Sequence, residues 1–185
     1  MGQIQNAFNA GVGSIIASKA MAEHLQSQAL NAVENQYHEA TDIGDKAEIL
    51  ANTIKEQSDK EQAAEDFKKE SNEKLEIKHP RDEKTGQFVN KKEYQRKLDM
   101  DIDKAEKALV DVHKEQDATA AQAQAFQARM DFYNKRQGML QTSLNRLPAN
   151  KRPEQADLTK IIPQKQWNAI DLIKKTNERN NKENK

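Results

Sequence analysis

Residues 98–147 decide the fold of this chain, and they read LDMDIDKAEKALVDVHKEQDATAAQAQAFQARMDFYNKRQGMLQTSLNRL. Mostly apolar or small residues recur here at alternating steps of four and three residues, without a slip. The positions are Leu98, Ile102, Ala105, Leu109, Val112, Gln116, Thr119, Ala123, Phe126, Met130, Tyr133, Gln137, Leu140, Leu144 and Leu147. A 3.5-residue repeat held over about seven heptads is typical of a helix that lies along another helix. The stretch therefore predicts one long helix of a coiled coil.

A second, weaker series with the same spacing occupies the first third of the chain. It comprises Phe8, Val12, Ile15, Lys19, Ala22, Gln26, Ala29, Val33, Gln36, Ala40, Ile43, Ala47, Leu50 and Ile54. After that point the pattern weakens, and the next positions are Gln57, Glu61, Ala64 and Lys68. The series predicts a helix from about residue 14 to about residue 77, less well packed towards its end. Gly44 predicts a kink at residues 41–45, because glycine inside a helix costs about 1 kcal/mol relative to alanine.

Residues 79–90, HPRDEKTGQFVN, connect the two predicted helices. Pro80 ends the first helix, because the residue before a proline is disfavoured in helical backbone. Residues 85–86, Thr-Gly, predict a turn, and residues 88–89, Phe-Val, predict a short extended piece. The connection is short enough to fold the second helix back onto the first.

Asn90 is a good N-cap for the second helix, with Glu93 as its capping-box partner. That helix ends at Leu147, since Pro148 follows. Two helices of nearly equal length predict an all-α fold, a long antiparallel helical hairpin or coiled coil with a short C-terminal helix. The alternative is an extended arrangement of two rods without fold-back.

Three regions follow from this reading of the sequence. Residues 1–18 form an uncharged segment of small residues, and residues 19–147 form the long helical hairpin with its connection at 79–90. Residues 148–185 form a proline-punctuated basic segment, with a short helix at residues 166–177 and a polar, frayed end.

The composition argues against an enzyme. Of 185 residues, 35% are hydrophobic, 5% aromatic and 32% charged, which is typical of long helices rather than of a compact catalytic domain. There is no cysteine, and no phosphate-binding loop or nucleophile elbow occurs. The histidines His24, His38, His79 and His113 do not have the spacing of a zinc site. We therefore expect no catalytic residues, no metal ligands and no cofactor.

The hairpin alone would be marginally stable, because about half of its seam positions are Ala, Gln, Thr or charged residues. We therefore expect a homo-oligomer in which further helices complete the seam. The residues expected in this oligomer seam are Phe8, Val12, Ile15, Val33, Ile43, Leu50, Ile54, Leu98, Ile102, Leu109, Val112, Phe126, Met130, Tyr133, Leu140, Leu144 and Leu147.

The N-terminal segment carries no charge and lacks the positive start of a secretory signal. No stretch of the sequence reaches the roughly 18–20 continuous apolar residues that a membrane-spanning helix needs, so we expect a chain made as a soluble protein. Its apolar stripe has two interpretations. It is the end of the seam, buried against copies of itself. Alternatively, it contacts a membrane after a conformational change, and the contact residues are then Ile4, Phe8, Val12 and Ile16.

The zero net charge hides blocks of opposite sign, which suit different partners. The blocks are about −7 over residues 34–77, +4 over 78–98, −4 over 99–128 and +7 over 129–185. The basic C-terminal third predicts docking on another structural protein, with Trp167, Ile170 and Ile173 as the anchor. The alternative is non-specific, salt-sensitive binding of nucleic acid.

The chain opens with MGQIQNAFNAGVGSIIASKAMAEHLQSQALNAVENQY (residues 1–37), which leads straight into a long helix. Over residues 2–60 this layout resembles the N-terminal plan of DNA pilot proteins of small tailless phages and, more loosely, internal ejection proteins of tailed phages. The resemblance implies a virion protein whose helices associate into a bundle or tube that helps genome delivery across the host envelope. The fold-back and the basic tail depart from a simple single-helix tube.

We therefore predict a non-enzymatic structural protein of a phage, a self-associating helical rod that assists genome ejection. It would be made in the host cytoplasm and located in the virion. One alternative is a capsid scaffolding protein that docks on coat protein through residues 166–177, although such a protein would not need the uncharged N-terminus. Another is a cytoplasmic coiled-coil adaptor or tether of the cell.

Overall fold

The computed structural model describes the backbone of residues 2–78, 80–82, 84–155 and 157–183. It describes the side chains of residues 17–78, 80–82, 84–155 and 157–182. Within these residues the chain is all-helical, as predicted, with two long helices and two shorter ones. In chain order the elements are α1 (Gly2–Leu75), α2 (Lys91–Leu144), a 3-10 helix (Ala149–Lys151), α3 (Leu158–Ile161) and α4 (Gln164–Glu183).

Helix α1 begins earlier than the sequence predicted, at Gly2 rather than near residue 14, and it ends at Leu75. Residues 2–75 contain no proline, so no residue lacks a backbone donor or blocks a helical turn. The expected kink at residues 41–45 does not break the helix, and Gly44 keeps its helical backbone. The glycine in this helix therefore has another explanation, which lies in what packs against it.

The connection between α1 and α2 forms the predicted turn at Thr85 and Gly86. Gly86 has a φ of 66°, in the left-handed region that favours glycine. Its N–H donates to the Asp82 carbonyl at 2.8 Å. An antiparallel bridge joins Arg81 to Phe88, so the predicted extended piece pairs with the start of the same loop.

Side chains bind the backbone at the start of α2 and just after its end. The Asn90 side chain accepts a hydrogen bond of 3.0 Å from the backbone N–H two residues later, as expected for an N-cap. At the other end, α2 stops at Leu144, and the Arg152 guanidinium donates to the carbonyls of Asn145 and Leu147 at 2.9 and 2.8 Å. These bonds satisfy backbone carbonyls in the turn that follows the helix.

Helix α4 is longer than the predicted residues 166–177. It spans Gln164–Glu183 and so continues beyond the predicted end at residue 177. Pro163 precedes the helix, where its missing N–H costs no hydrogen bond. The Asn177 side chain donates to the Ala123 carbonyl at 2.9 Å and so holds the second half of the helix in place.

The chain divides into two compact units, each containing a part of α1 and a part of α2. The first unit is Met1–Ala47 with Phe126–Asn168, and the second unit is Glu48–Ala125 with Ala169–Lys185. Ion pairs in the first unit are Glu39–Arg136 and Asp42–Arg129. Ion pairs in the second unit are Lys60–Glu115 and Lys68–Glu106. Within each unit the α2 partner falls in number as the α1 residue rises, so the two segments run in opposite directions.

The buried positions of α2 follow the heptad series of the sequence. They are Leu98, Ala105, Val112, Thr119, Ala123, Phe126, Met130, Tyr133 and Leu144, all of them members of the series. In α1, burial follows the series from Val33 to Leu50 and continues at Gln57, Ala64 and Ser71. The periodicity therefore identified the inward face of both helices, including the part of α1 where the pattern weakens.

The structure shows how far these seam residues are covered within a single chain. They were predicted to form an oligomer seam, but the described ones are buried or half-buried by the chain's own helices. Ile54, Ile102, Leu109, Leu140 and Leu147 are half-buried, and the other described members are buried. Phe8, Val12 and Ile15 lie outside the described side chains. Burial of the seam from Val33 onward therefore requires no second copy of the chain.

Candidate functional site

An apolar cluster in the first unit forms where α2 ends. Val33 of α1 and Leu144 of α2 are its buried centre, 7% and 2% exposed. Partly buried residues packed against this centre are Ala29, Leu140, Leu147 and Ile161. Ile161 belongs to α3, so the proline-punctuated segment contributes to the core of this unit.

Tyr133 is the largest side chain that is fully buried in the first unit. Its hydroxyl lies 3.5 Å from the backbone carbonyl of Gln36, to which it donates. Burial, with a further contribution from the charge of Glu39, raises the pKa of Tyr133 to about 12. The phenol is therefore neutral at ordinary pH, and its side chain is buried in the core of this unit.

Ion pairs across α1 and α2 engage arginines of the basic C-terminal third. Arg129 pairs with Asp42, which also accepts from Lys46 at 3.0 Å, and Arg136 pairs with Glu39 at 2.8 Å. The hydrogen bonds from Lys46 and then from Arg129 hold the pKa of the Asp42 carboxyl below its usual value. Arginines that the sequence offered as contacts for nucleic acid are thus bound to carboxylates of the same chain.

A polar layer replaces the apolar seam in the second unit. Gln57 donates to the Thr119 hydroxyl at 2.8 Å, and both residues are 7% exposed. One heptad position further along α1, the Glu61 carboxylate accepts from Gln116 at 2.6 Å and lies 3.2 Å from His113. The sequence suggested poor packing here, whereas these polar side chains pair with each other. Paired polar groups inside a helix interface select one register, because any shift leaves them without partners.

Helix α4 buries two of the three residues that were predicted to dock on another protein. Ile173 is fully buried and Ile170 is 7% exposed, while Trp167 is half-buried. The two isoleucines are therefore covered within the chain itself, and their docking on another protein stays a prediction. Their apolar face is what holds the second half of α4 in its own unit, together with the hydrogen bond from Asn177 to Ala123.

Gly44 allows the start of α4 to approach α1 within the first unit. A methyl group at this position would overlap the carboxamide of Gln166. That carboxamide donates to Asp45 at 3.0 Å, one residue further along α1. Glycine at this position thus allows the Gln166 side chain to pack closely against α1. The sequence alone did not reveal this contact.

Among the described side chains of α1, none of residues 17–32 is buried, and the first buried one is Val33. Side chains 17–21 are all exposed, and Met21 and Leu25 are 62% and 44% exposed. Ala22 and Gln26, at seam positions, are half-buried. The predicted membrane-contact residues Ile4, Phe8, Val12 and Ile16 lie outside the described side chains.

Within the described side chains, no three His, Asp or Glu residues are grouped as a metal site would require. None of the helices, in the residues described, is long and apolar enough to cross a membrane. No protein-family model, curated protein or solved structure matches the chain. What the chain does must therefore be argued from its own residues.

Proposed function

We propose that this chain is a non-enzymatic structural protein of a phage particle, a self-associating helical rod that assists genome ejection across the host envelope. In this proposal the N-terminal arm, residues 2–28 of α1, joins one copy to the next. The observation that supports it is the exposure of Met21 and Leu25 on the part of α1 that precedes the Val33–Leu144 cluster. The phage setting rests on the resemblance of layout over residues 2–60.

The N-terminal arm is long enough to form an extended contact with another helix. Its residues form roughly 27 helical positions, or about 40 Å at 1.5 Å per residue. The α2 residues of the apolar cluster, Leu140 and Leu144, meet α1 at Ala29 and Val33, beyond the arm. A helix of this length with exposed apolar side chains gains free energy when another surface covers them, at about 25 cal/mol per Å².

The charge of the arm favours a second copy of the same chain as its partner. Residues 1–33 carry only Lys19 and Glu23, so two arms do not repel each other. An uncharged surface also gains little from a strongly charged partner. Alanines and glycines allow helix backbones to approach closely, and a two-fold contact would place the same stripe against itself. Such pairing would build the bundle from which a delivery tube forms.

The capsid-scaffolding alternative has less support than self-association through the N-terminal arm. It requires residues 166–177 as an exposed docking element, whereas Ile170 and Ile173 are buried in the chain. A scaffold of this kind would have to release α4 before it could dock on a coat protein. A cellular adaptor or tether remains an alternative because its rod would have the same architecture.

Light scattering across a concentration series, coupled to size-exclusion chromatography, tests the proposal. We expect the full chain to form a defined oligomer, and Met21→Glu combined with Leu25→Glu to be monomeric with unchanged helicity. The matched control is Ile49→Glu combined with Val110→Glu, which adds the same two charges at side chains of the second unit that are 68% and 52% exposed. A monomeric full chain at all concentrations refutes the proposal, and so does a control that dissociates as readily as the arm variant.

A flotation assay with anionic vesicles then separates the ejection role from a purely structural one. Full chain that floats, while the variant lacking residues 1–18 stays at the bottom, supports membrane engagement by the assembled arms. If neither floats, the rod assembles without a role in crossing the envelope.

A further inference from the structure

The loop that joins α1 to α2 is a basic element between two acidic ones. Residues 78–98 carry about +4, between blocks of about −7 and −4. The structure orders this loop around the Arg81–Phe88 bridge and the turn at Gly86. A local positive potential in an otherwise acidic unit is a recognition feature for an anionic partner.

A cleft of about 960 Å³ opens at this loop within the second unit, and we call it the tip cleft. Its cationic lining residues are Lys74, Arg81, Lys84, Arg96 and Lys97. The acidic residues in the lining are Asp82 and Glu93, so the cleft has an excess of positive charge. Tyr94 and Val89 contribute the apolar part of the wall.

The Asp82 carboxylate is already engaged by the loop itself. It accepts from the Thr85 N–H at 2.8 Å, from the Thr85 hydroxyl at 2.9 Å and from the Lys84 N–H at 3.0 Å. These bonds, with the Thr85 backbone N–H first, hold the pKa of Asp82 below its usual value. The carboxylate therefore stabilises the turn, and forms no ion pair with a cation of the cleft in the part of the chain that the structure describes.

One cation of the tip cleft, Lys74, pairs with Glu70 of its own helix at 2.7 Å. Three others differ from lysines elsewhere in the same unit. Lys60 and Lys68 pair with glutamates of α2. Arg81, Arg96 and Lys97 have no such ion pair among the described residues. Like charges held close together raise the free energy of the unliganded state, and an anion in the cleft would lower it.

An exposed aromatic ring lies beside these charges. Phe88 is 68% exposed, and the Arg81 guanidinium lies 4.4 Å from the centre of its ring. The contact is a cation–π interaction, and it leaves most of the surface of Phe88 in solvent. Planar groups of this kind are the surfaces on which nucleic-acid bases stack.

We infer that the tip cleft binds single-stranded nucleic acid, with phosphates on Arg96 and Lys97 and a base stacked on the Phe88–Arg81 pair. Charge alone would also suit an acidic peptide, but such a peptide has no use for the exposed ring. Duplex nucleic acid holds its bases within the stack, where the ring cannot reach their faces. This inference stands independently of the proposed function, because it uses neither the N-terminal arm nor self-association.

Fluorescence anisotropy with the full chain and a labelled oligothymidylate of about 20 nucleotides tests the inference. The charge variant is Arg96→Ala with Lys97→Ala, and the stacking variant is Phe88→Ala. The matched control is Lys135→Ala with Lys160→Ala, which removes the same charge from exposed positions of the first unit. Circular dichroism on each variant checks that the helices persist.

The two variants should fail in different ways. The charge variant should bind more weakly, and its slope of log affinity against log salt should fall by about 1.4, or about 0.7 for each phosphate that the cleft no longer neutralises. The stacking variant should weaken binding by about five-fold or more with an unchanged salt slope. The control should bind like the unmodified chain.

Three results would overturn the inference. One is the absence of salt-dependent binding by the unmodified chain. Another is a loss of binding in the control as large as in the charge variant, which would assign the binding to the basic C-terminal third. The last is equal affinity for polyglutamate or for a duplex of the same length, since neither offers a base to the ring.

Discussion

The buried pair of Gln57 and Thr119 offers a sharp test of how α1 and α2 are aligned in the second unit. The Gln57 amide donates to the Thr119 hydroxyl at 2.8 Å, and that hydroxyl donates to the Glu115 carbonyl at 2.9 Å. The two changes Thr119→Val and Gln57→Leu each remove one partner with little change in volume. They should have unequal effects, because they leave different groups without a partner.

Thr119→Val removes the acceptor and leaves the Gln57 amide buried at 7% exposure. An orphaned buried donor costs about 1–3 kcal/mol, so the free energy of unfolding should fall by that amount. Gln57→Leu removes the donor, while Thr119 keeps its own bond to Glu115. Its cost should stay below about 1 kcal/mol, because an apolar side chain then fills a helix interface. The double variant should regain most of the loss caused by Thr119→Val.

Urea unfolding followed by far-ultraviolet circular dichroism measures these differences, using midpoints compared at a common slope. The double-mutant cycle should give a coupling free energy of about 1–2 kcal/mol between the two positions. A coupling below about 0.3 kcal/mol would refute the pairing, because residues that do not touch act additively. Equal losses of unfolding free energy in the two single variants would also contradict the argument. They would mean that the bond from Thr119 to the Glu115 carbonyl does not compensate Thr119 for the loss of Gln57.

Further predictions concern the helical glycines Gly44 and Gly138 and the buried Tyr133. Gly138→Ala should raise the free energy of unfolding by about 1 kcal/mol, because nothing lies within 4 Å of the new methyl group. Gly44→Ala should gain clearly less in the same unfolding measurement, because the methyl group displaces the Gln166 carboxamide from Asp45; an equal gain would show that this carboxamide is not held there. The pKa of Tyr133 lies at about 12 in the folded chain against an ordinary 10.0, so its contribution is fully present below pH 10 and is lost as the pH rises towards 12. Tyr133→Phe should flatten that alkaline loss of stability in a pH titration of the melting temperature, and an unchanged titration would contradict the assigned burial.

The heptad series was sufficient to predict the two long helices, because helix geometry depends only on residues close together in the sequence. A residue's position in the repeat depends only on its neighbours along the chain, so the inward face of α2 could be read without any tertiary information. The same reading identified the Asn90 cap and the glycine turn, which also depend on a few consecutive residues. It placed the start of α1 too late, because weak apolar periodicity does not stop a helix that contains no proline.

Contacts between residues that are far apart in the sequence could not be predicted from the heptad series. The isoleucines of α4 were interpreted as an anchor for another protein, because periodicity shows that a face is apolar but not what covers it. Gln57 and Glu61 were interpreted as poor packing, because a polar residue at a seam position shows its partner only when the facing helix is known. The nucleic-acid interpretation began in the C-terminal third for the same reason, since the carboxylates that pair with Arg129 and Arg136 are far away in sequence.

By itself, then, the sequence determined that this protein is all-helical, which two segments form most of its long helices and which face of each turns inward. These features arise from backbone hydrogen bonding and from apolar spacing over one or two turns. Only the tertiary structure decided that α4 packs on its own chain, that Gly44 makes room for Gln166, and that the cations of the loop remain together in one cleft. The physical reason is that burial and ion pairing depend on distances between residues far apart along the chain, which no local pattern contains.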